Sequence, residues 1–290
     1  MFKSNPTKIG EIIKRFYFIL NALPSIFFIL FQKKIHEAYK MSFFKKFRLG
    51  LRMYRNTRKV PTGTSYKTHL VMALKILETP PDIQGDVVEC GSWKGGSAIN
   101  LSIVCEITGR KLRIYDSFEG LPEAHPDDRE ANPMAKGMFC GSLEEVQSNI
   151  RKYGAINCCE FIKGWYEDTL PEIKGPILLA FFDVDFEASL DVCVRSIWPH
   201  LIDTGYIFID ECLSVNYCSL FFSEKYWKKY FNRTPPGLIG SGCGIPLGDY
   251  FIGPWDHAGF GPVGLESSFS IAYTRKDYSG FWTFYPDEKK

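Results

Sequence analysis

Several common functional signatures are missing from this sequence. Its nine cysteines include no Cys-x-x-Cys pair, which argues against a zinc module, and Cys90 and Cys105 lie in apolar runs where they would pack as small hydrophobic residues. There is no uninterrupted run of about 20 apolar residues and no secretory-type cleavage site near the start. These absences favour a cytoplasmic protein in a reducing environment.

Charge is also scarce overall, because the formal net charge is only +2, yet its distribution is uneven. The first 59 residues contain 14 lysines and arginines against two glutamates, whereas the remainder has 21 basic and 31 acidic residues. Apart from Asn21 and Pro24, residues 16–31 are nearly all apolar, and residues 40–59 mix aromatic with basic side chains. Such a segment suits either an anionic membrane surface or packing against protein, and both interpretations stay open.

The basic segment ends near Pro61, where a Pro-Thr-Gly-Thr turn marks the predicted domain boundary. Residues 1–61 are predicted to form a helical arm, and residues 62–290 a single domain. Residues 1–59 are the candidate contact with the inner membrane face, and we expect a homo-oligomer. Nucleic-acid binding is disfavoured, because the apolar centre of the arm suits lipid or protein better.

Apolar strands alternate with amphipathic helices from residue 66 onward. This pattern predicts a seven-stranded, mostly parallel α/β sheet with helices on both faces, of the Rossmann-like type. Predicted helices cover 66–78, 97–108, 143–153 and 189–201, and predicted strands cover 86–90, 112–115, 159–162, 177–182, 206–209, 268–273 and 282–285. His69, His125 and His200 are predicted to lie on the surface. Ligands of such sheets bind at the carboxyl ends of the strands.

A glycine-rich turn, residues 91–97, follows the first predicted strand and resembles a nucleotide-cofactor site. Gly91 allows close backbone approach, and Gly95 begins the next helix, whose free N–H groups face the ligand. Asp116 ends the second strand and is expected to accept hydrogen bonds from both hydroxyls of a ribose. The turn lacks the Gly-x-Gly-x-x-Gly spacing of a pyrophosphate site, which disfavours an NAD enzyme and favours a nucleoside without phosphates.

Three motifs resemble the macrocin O-methyltransferase family: VECGSWKGGS at 88–97, DSFEGLP at 116–122 and GWYEDTLP at 164–171. The resemblance implies a class I methyltransferase fold, S-adenosylmethionine as cofactor, magnesium, and a sugar or natural-product hydroxyl as acceptor. It also implies the cofactor-binding residues. The methionine end would contact the turn through Glu89, Gly91, Trp93, Gly95 and Ser97, and the ribose and adenine would contact Asp116, Ser117 and Trp165.

Acidic residues end two further strands, with Asp183 after the fourth and Asp210 and Glu211 after the fifth. Adjacent parallel strands would bring these carboxylates together, where they would repel unless a cation is present, and oxygen ligands suit Mg²⁺. Asp183, Asp210 and Glu211 also match the family's ligand positions. We therefore expect these three residues to bind the metal.

The family pattern is altered at two places: it usually has Asp-Asp where this chain has Asp210-Glu211, and Tyr-Glu where this chain has Glu187-Ala188. Asp183 or His257 is the candidate general base. His257 lies in a glycine-rich loop, residues 235–264, which is either a lid or a cover for the sheet edge.

The leading hypothesis is an S-adenosylmethionine- and Mg²⁺-dependent O-methyltransferase with a small-molecule or glycan acceptor. The alternative is a non-catalytic protein of the same fold that serves as a scaffold at the membrane, which the two departures motivate.

Overall fold

The structure is a computed structural model. It describes residues 34–124, 134–210, 215–239 and 271–276, together with a few positions between 23 and 31 and the two short segments 246–247 and 250–251. Glu211, His125, His257 and most of the glycine-rich loop lie outside the described residues.

The described part of the chain contains a six-stranded sheet with the order β3-β2-β1-β4-β5-β8. Its first five strands are parallel and β8 is antiparallel to β5. The strands are β1 (Asp86–Cys90), β2 (Leu112–Asp116), β3 (Cys159–Lys163), β4 (Ile177–Phe182), β5 (Leu201–Ile209) and β8 (Ala272–Arg275), and a separate hairpin comprises β6 (Pro246–Leu247) and β7 (Tyr250–Phe251). The predicted Rossmann-like α/β fold is confirmed. The predicted count of seven differs from the six observed, and its last strand, 282–285, lies outside the described residues.

Helices cover both faces of this sheet. One face is packed by α1 (Phe43–Thr57), α2 (Tyr66–Glu78), α3 (Gly96–Thr108) and α4 (Leu143–Tyr153). The other is packed mainly by α6 (Glu187–Ile197) and α8 (Glu224–Phe231), and the short helices are α5 (Tyr166–Thr169) and α7 (Val215–Ser219). Alternate residues of β1 enter opposite cores, Val87 on the first face and Val88 on the second, which is the two-sided burial expected of a parallel sheet.

The predicted helix 189–201 is wrong at its C-terminal end. The α-helix ends at Ile197, and a 3₁₀ turn of Trp198–His200 leads directly into β5. Pro199 explains the change, because proline lacks the N–H that an α-helix needs. β5 consequently begins at Leu201, five residues before the predicted strand.

The arm packs against the domain. Ser42 caps α1 by accepting a hydrogen bond from the Lys45 N–H at 3.4 Å, and Leu49 and Met53 are buried in the core. Ile26 also belongs to this core and lies against Gly50, where an added Cβ would be only 2.5 Å from an Ile26 methyl carbon. Among the described residues, no helix has the length and apolarity needed to cross a bilayer.

Candidate active site

A cavity of about 620 Å³ lies at the carboxyl ends of the strands. Loops after β1, β2, β3, β4 and β5 all contribute to its lining. The predicted site residues that line it are Gly91, Trp93, Asp116, Ser117, Trp165, Asp183 and Asp210. Five separate strand ends therefore converge on one cavity large enough for a cofactor or a drug-sized ligand.

The turn after β1 approaches β4 so closely that only glycine fits at Gly91. Its φ is +86°, and an added Cβ would overlap the carbonyl oxygen of Asp183. The Tyr166 hydroxyl would lie 3.5 Å from the same Cβ. Gly95 also has a positive φ, +82°, and is the N-cap of α3. The turn thus places the bare backbone of Gly91 at the cavity.

Glu89 lies beneath this turn and is fully buried. Neither of its carboxylate oxygens has a hydrogen-bond partner among the described residues. Burial raises the pKa of Glu89 to about 8, and Asp183 and Asp116 add to the shift; the nearby Ser97 hydroxyl opposes it but falls short of hydrogen-bond geometry. Three of the predicted cofactor-binding residues do not line the cavity: Glu89, Gly95 and Ser97. They would affect ligand binding only by supporting the turn.

Asp116 connects the first two loops of the site. Its Oδ2 accepts hydrogen bonds from the backbone N–H of Ser92 at 2.7 Å and from the Ser92 hydroxyl at 2.9 Å. Its Oδ1 accepts the N–H of Phe118 at 2.7 Å. A carboxylate has about four acceptor positions, so a ribose hydroxyl that reaches Asp116 must use the remaining one or displace the Ser92 hydroxyl.

The backbone is strained in three of the loops around the cavity. Trp93, Phe118 and Asp185 all have left-handed φ values, of 45°, 57° and 58°, and follow β1, β2 and β4. Non-glycine residues rarely adopt this conformation, and such strain is concentrated at functional sites. In this cavity, two of the three strained residues lie in the loops that carry Asp116 and Asp183.

Asp183 and Asp210 stand side by side at the ends of β4 and β5. The Asp183 N–H donates to the Cys90 carbonyl at 3.0 Å, and the Asp210 N–H donates to the Phe182 carbonyl at 2.9 Å, which continues the hydrogen bonding of the sheet past both strands. Asp185 lines the cavity with them. Burial, and then repulsion from Asp185 and Asp116, raises the pKa of Asp183.

The cavity lining thus contains four aspartates, at 116, 183, 185 and 210, against the two cations Arg58 and Lys59. The oxygen donors suit Mg²⁺ in chemistry. Within the described residues, however, no group of three or more histidine, cysteine, aspartate or glutamate side chains is placed to hold a metal ion. The third predicted ligand, Glu211, and the alternative base, His257, lie outside the described residues.

The end of the arm forms one wall of the cavity, which sequence reasoning missed. Residues 57–63 all line it, and the predicted boundary at residue 61 falls within them. Gly96 packs directly on Thr62, since an added Cβ would be 2.5 Å from the Thr62 Cβ. At Gly63, an added Cβ would lie 3.6 Å from Asp183 Oδ2. The Pro61-Thr62-Gly63 turn is visible in the sequence, but a proline-glycine turn is also typical of a linker between domains, and it was interpreted as the domain boundary.

A buried polar network anchors this wall, and it includes His69, which was wrongly predicted to lie on the surface. His69 is fully buried, with Nε2 2.8 Å from the Thr64 hydroxyl and Nδ1 2.9 Å from the side-chain nitrogen of Asn100. The Asn56 amide donates to Asn100 Oδ1 at 3.0 Å, so the Asn100 NH₂ faces His69. His69 therefore accepts at Nδ1 and donates to Thr64 from Nε2.

This network predicts a loss of stability in acid. Burial lowers the pKa of His69 to about 3, so below its ordinary value of 6.5 the unfolded chain binds a proton that the folded chain does not. Stability is thus present above pH 6.5 and is lost as the pH falls toward 3. Between about pH 7 and 4.5, urea unfolding should show the wild type losing roughly 2–3 kcal/mol more than His69→Gln. Parallel pH curves for the two proteins would refute this assignment.

Comparison with known proteins identifies a family and two curated relatives. A family model described as macrocin O-methyltransferase matches residues 55–233. A tetracenomycin rhamnosyl 4'-O-methyltransferase of Streptomyces olivaceus is 34% identical over 139 residues, covering 44% of this chain and 53% of that protein. Demethyldecarbamoylnovobiocin O-methyltransferase of Streptomyces niveus is 30% identical over 150 residues, covering 47% and 56%. The chain spans about half the length of these curated relatives.

A solved structure supports the fold. The O-methyltransferase NovP superposes with a TM-score of 0.54 at 18% identity, covering 91% of this chain and 99% of that one. The family match covers more than half of the chain and includes the turn after β1, the Asp116 loop and both carboxylates at 183 and 210. This chain belongs to the macrocin O-methyltransferase family.

Proposed function

We propose that the protein is an S-adenosylmethionine-dependent O-methyltransferase that acts on a hydroxyl of a sugar or related natural-product acceptor. The observation that carries this proposal is the bare backbone of Gly91 facing an aspartate-lined cavity at the carboxyl ends of the strands. Family membership supports it, as do the activities of the two relatives, both O-methyltransferases of Streptomyces.

The cofactor would lie along the loops after β1, β2 and β3. Gly91 and Trp93 would border its methionine end, with Glu89 behind them, and Asp116 with Ser117 would border its ribose. Trp165, the N-cap residue of α5, would cover the adenine. When bound, S-adenosylmethionine supplies a methyl group on a positively charged sulfonium, and the surrounding carboxylates stabilise positive charge.

Asp183 is the proposed proton acceptor. It lines the cavity at the end of β4, where its carboxylate can accept a hydrogen bond and then the proton of an acceptor hydroxyl. It would orient the acceptor hydroxyl and take its proton as methyl transfer proceeds. The backbone contact with Gly91 fixes Asp183 relative to the cofactor turn.

We propose Mg²⁺ as a second ligand, held by Asp183, Asp210 and Glu211. The two described carboxylates have suitable chemistry and adjacent positions, and Glu211 follows Asp210 in the chain. A bound divalent ion would supply Lewis acidity and neutralise the repulsion between the carboxylates.

The apolar side chains in the cavity lining suit an acceptor with apolar and ring surfaces. Leu121, Met134 and Phe139 line the cavity, and the Phe139 ring meets Trp93 edge to face at 5.5 Å between centroids. Such a wall packs against the apolar face of a sugar ring or a polyketide. A small-molecule or glycan acceptor fits these contacts.

Calorimetry with S-adenosylhomocysteine tests the proposal directly. The purified protein is expected to bind it, and to transfer a labelled methyl group from S-adenosylmethionine to a product in a cell extract; identifying the product would identify the acceptor. Removing divalent ions with EDTA should lower the transfer rate, and Mg²⁺ should restore it. Absence of S-adenosylhomocysteine binding would refute the cofactor proposal, and full activity in EDTA would refute the metal proposal.

The alternative remains a non-catalytic scaffold of the same fold, favoured by the substitution of Glu211 and by the Glu187-Ala188 segment. Binding of S-adenosylhomocysteine without transfer to any acceptor would favour it. In either case we propose that the protein is cytoplasmic, that it forms a homo-oligomer, and that its arm contacts the inner membrane surface.

A further inference from the structure

The exposed side of α1 forms a groove of about 550 Å³ with a strongly basic lining. This basic groove is defined by its five cations, Arg48, Arg52, Arg55, Lys59 and Lys152. None of its lining residues within the described part of the chain is acidic. The opposite side of α1 is buried against the domain, so the groove belongs to a rigidly packed helix.

The positive charge of the basic groove is not neutralised by described carboxylates. Arg52 donates to the carbonyl oxygens of Tyr153 and Gly154 at 2.9 and 3.2 Å. The ammonium groups of Lys59 and Lys152 lie 4.9 and 5.0 Å from the centre of the same Tyr153 ring. No ion pair in the described part of the chain involves any of the five cations. An anionic partner would therefore meet five cations whose charge no described carboxylate neutralises.

Two exposed phenylalanines lie at the N-terminal end of the same helix. Phe43 is 54% exposed and Phe44 is 79% exposed, and their rings meet edge to face at 5.6 Å. Phe44 also lines the basic groove. Large aromatic side chains this exposed mark a contact surface, and aromatic rings beside cations are typical of helices that lie on lipid headgroups.

The geometry favours an extended anionic surface over a single bound phosphate. Arg48 and Arg55 are seven positions apart, which is roughly 10 Å along the helix. Arg52 lies between them on the same side, so the charges form a stripe able to meet several headgroups at once. The exposed Phe43 and Phe44 would have no role with a small soluble anion.

We propose that the basic groove, with Phe43 and Phe44, docks on an anionic bilayer surface. Lys59 lines both the groove and the candidate active-site cavity, so a bilayer bound here lies beside that cavity. The inference rests on the proposed function and deepens it, because the methyl acceptor would then reach the cavity from the membrane surface. Within residues 26–30, Ile26, Ile29 and Leu30 are buried in the protein core, whereas Phe27 is 39% exposed and its ring centroid lies 6.1 Å from that of Phe43, beside the docking surface.

Vesicle flotation of the full-length protein tests the docking surface. Vesicles of phosphatidylcholine with phosphatidylglycerol should bind the protein, vesicles of phosphatidylcholine alone should not, and high salt should weaken the binding. Arg48→Gln combined with Arg55→Gln should lower partitioning on the order of thirtyfold. The matched control removes two exposed cations of α8, Lys225→Gln with Lys228→Gln, and should partition like the wild type.

The proposal is overturned if the wild type does not float with the anionic vesicles, or if the α1 and α8 double variants partition equally. Two competitors are also tested against wild-type protein bound to vesicles, millimolar glycerol phosphate and a DNA duplex. The proposal is overturned if either competitor lowers vesicle binding as much as the double arginine substitution does. Arg48 and Arg55 do not line the candidate active-site cavity. S-adenosylhomocysteine binding, measured on the same samples, therefore distinguishes failure of the docking surface from failure of the proposed function.

Discussion

Asp183→Asn is expected to lower the rate of methyl transfer by about 10²–10⁴-fold while the protein stays folded and binds S-adenosylhomocysteine. Asparagine has nearly the same shape but cannot accept the hydroxyl proton. The backbone contacts of Asp183, its N–H to the Cys90 carbonyl and its carbonyl against Gly91, do not depend on the side chain. Burial raises the pKa of Asp183 to about 8, so the fold already holds a largely neutral side chain there and, with no divalent ion bound, the thermal unfolding temperature should not fall.

The control is Asp191→Asn, on α6. It removes the same charge from an aspartate that does not line the cavity and instead holds Arg195, with 2.9 Å between Asp191 Oδ2 and Arg195 Nε. Its transfer rate should stay within a few-fold of the wild-type rate. A transfer rate for Asp183→Asn within about tenfold of wild type would exclude Asp183 as the proton acceptor. Loss of S-adenosylhomocysteine binding would instead assign Asp183 to cofactor binding.

Local signals were sufficient to predict the central strands and several helices. Ser65 begins α2 and accepts a hydrogen bond from the Lys67 N–H at 3.2 Å, and the helix spans Tyr66–Glu78 as predicted. β1 covers Asp86–Cys90, where an apolar run meets the glycine turn. These features depend on neighbours in sequence, namely a capping side chain, apolar periodicity and a glycine with positive φ. The convergence of Asp116, Asp183 and Asp210 followed from the rule that parallel strands share one carboxyl edge.

The features that could not be predicted from the sequence depend on packing between distant segments. The predicted apolar face of α2 was Leu70, Ala73, Leu74 and Leu77, yet every residue from Thr68 to Leu77 is buried. The reason is that α1 covers the side of α2 that would otherwise face water, and both helices belong to one core. His69 is on that covered side. The same packing brings the end of the arm to the cavity, and no local pattern in residues 57–63 indicates it.

Because α1 contributes Leu49 and Met53 to the core, deleting the arm is a poor test of membrane binding. Deletion of residues 1–61 would expose apolar surface of α2 and remove Pro61, whose carbonyl oxygen packs on Gly96. Any change in partitioning between membrane and solution would then combine partial unfolding with loss of docking. Single exposed residues of the basic groove avoid this, since their removal leaves the buried side of α1 intact.

Gly91→Ala is expected to weaken S-adenosylhomocysteine binding and to lower the rate of methyl transfer by about 100-fold, because a misplacement of about 1 Å is enough for such a loss of rate. The new methyl group would overlap the Asp183 carbonyl oxygen, so either the turn or the end of β4 must move. Both line the cavity. Alanine is also strained at a φ of +86°. The free energy of unfolding should fall by about 3 kcal/mol, measured by urea denaturation.

Gly109→Ala separates the strain of the backbone from the overlap with β4. Gly109 has a similar φ, +70°, and an alanine Cβ there would meet nothing within 4 Å. It follows α3, remote from the turn, and its N–H bonds the carbonyls of Cys105 and Glu106. This variant should lose about 1 kcal/mol of stability and keep wild-type affinity for S-adenosylhomocysteine. If Gly91→Ala binds the ligand as well as Gly109→Ala does, the close approach of Gly91 to Asp183 is not what shapes the cofactor site.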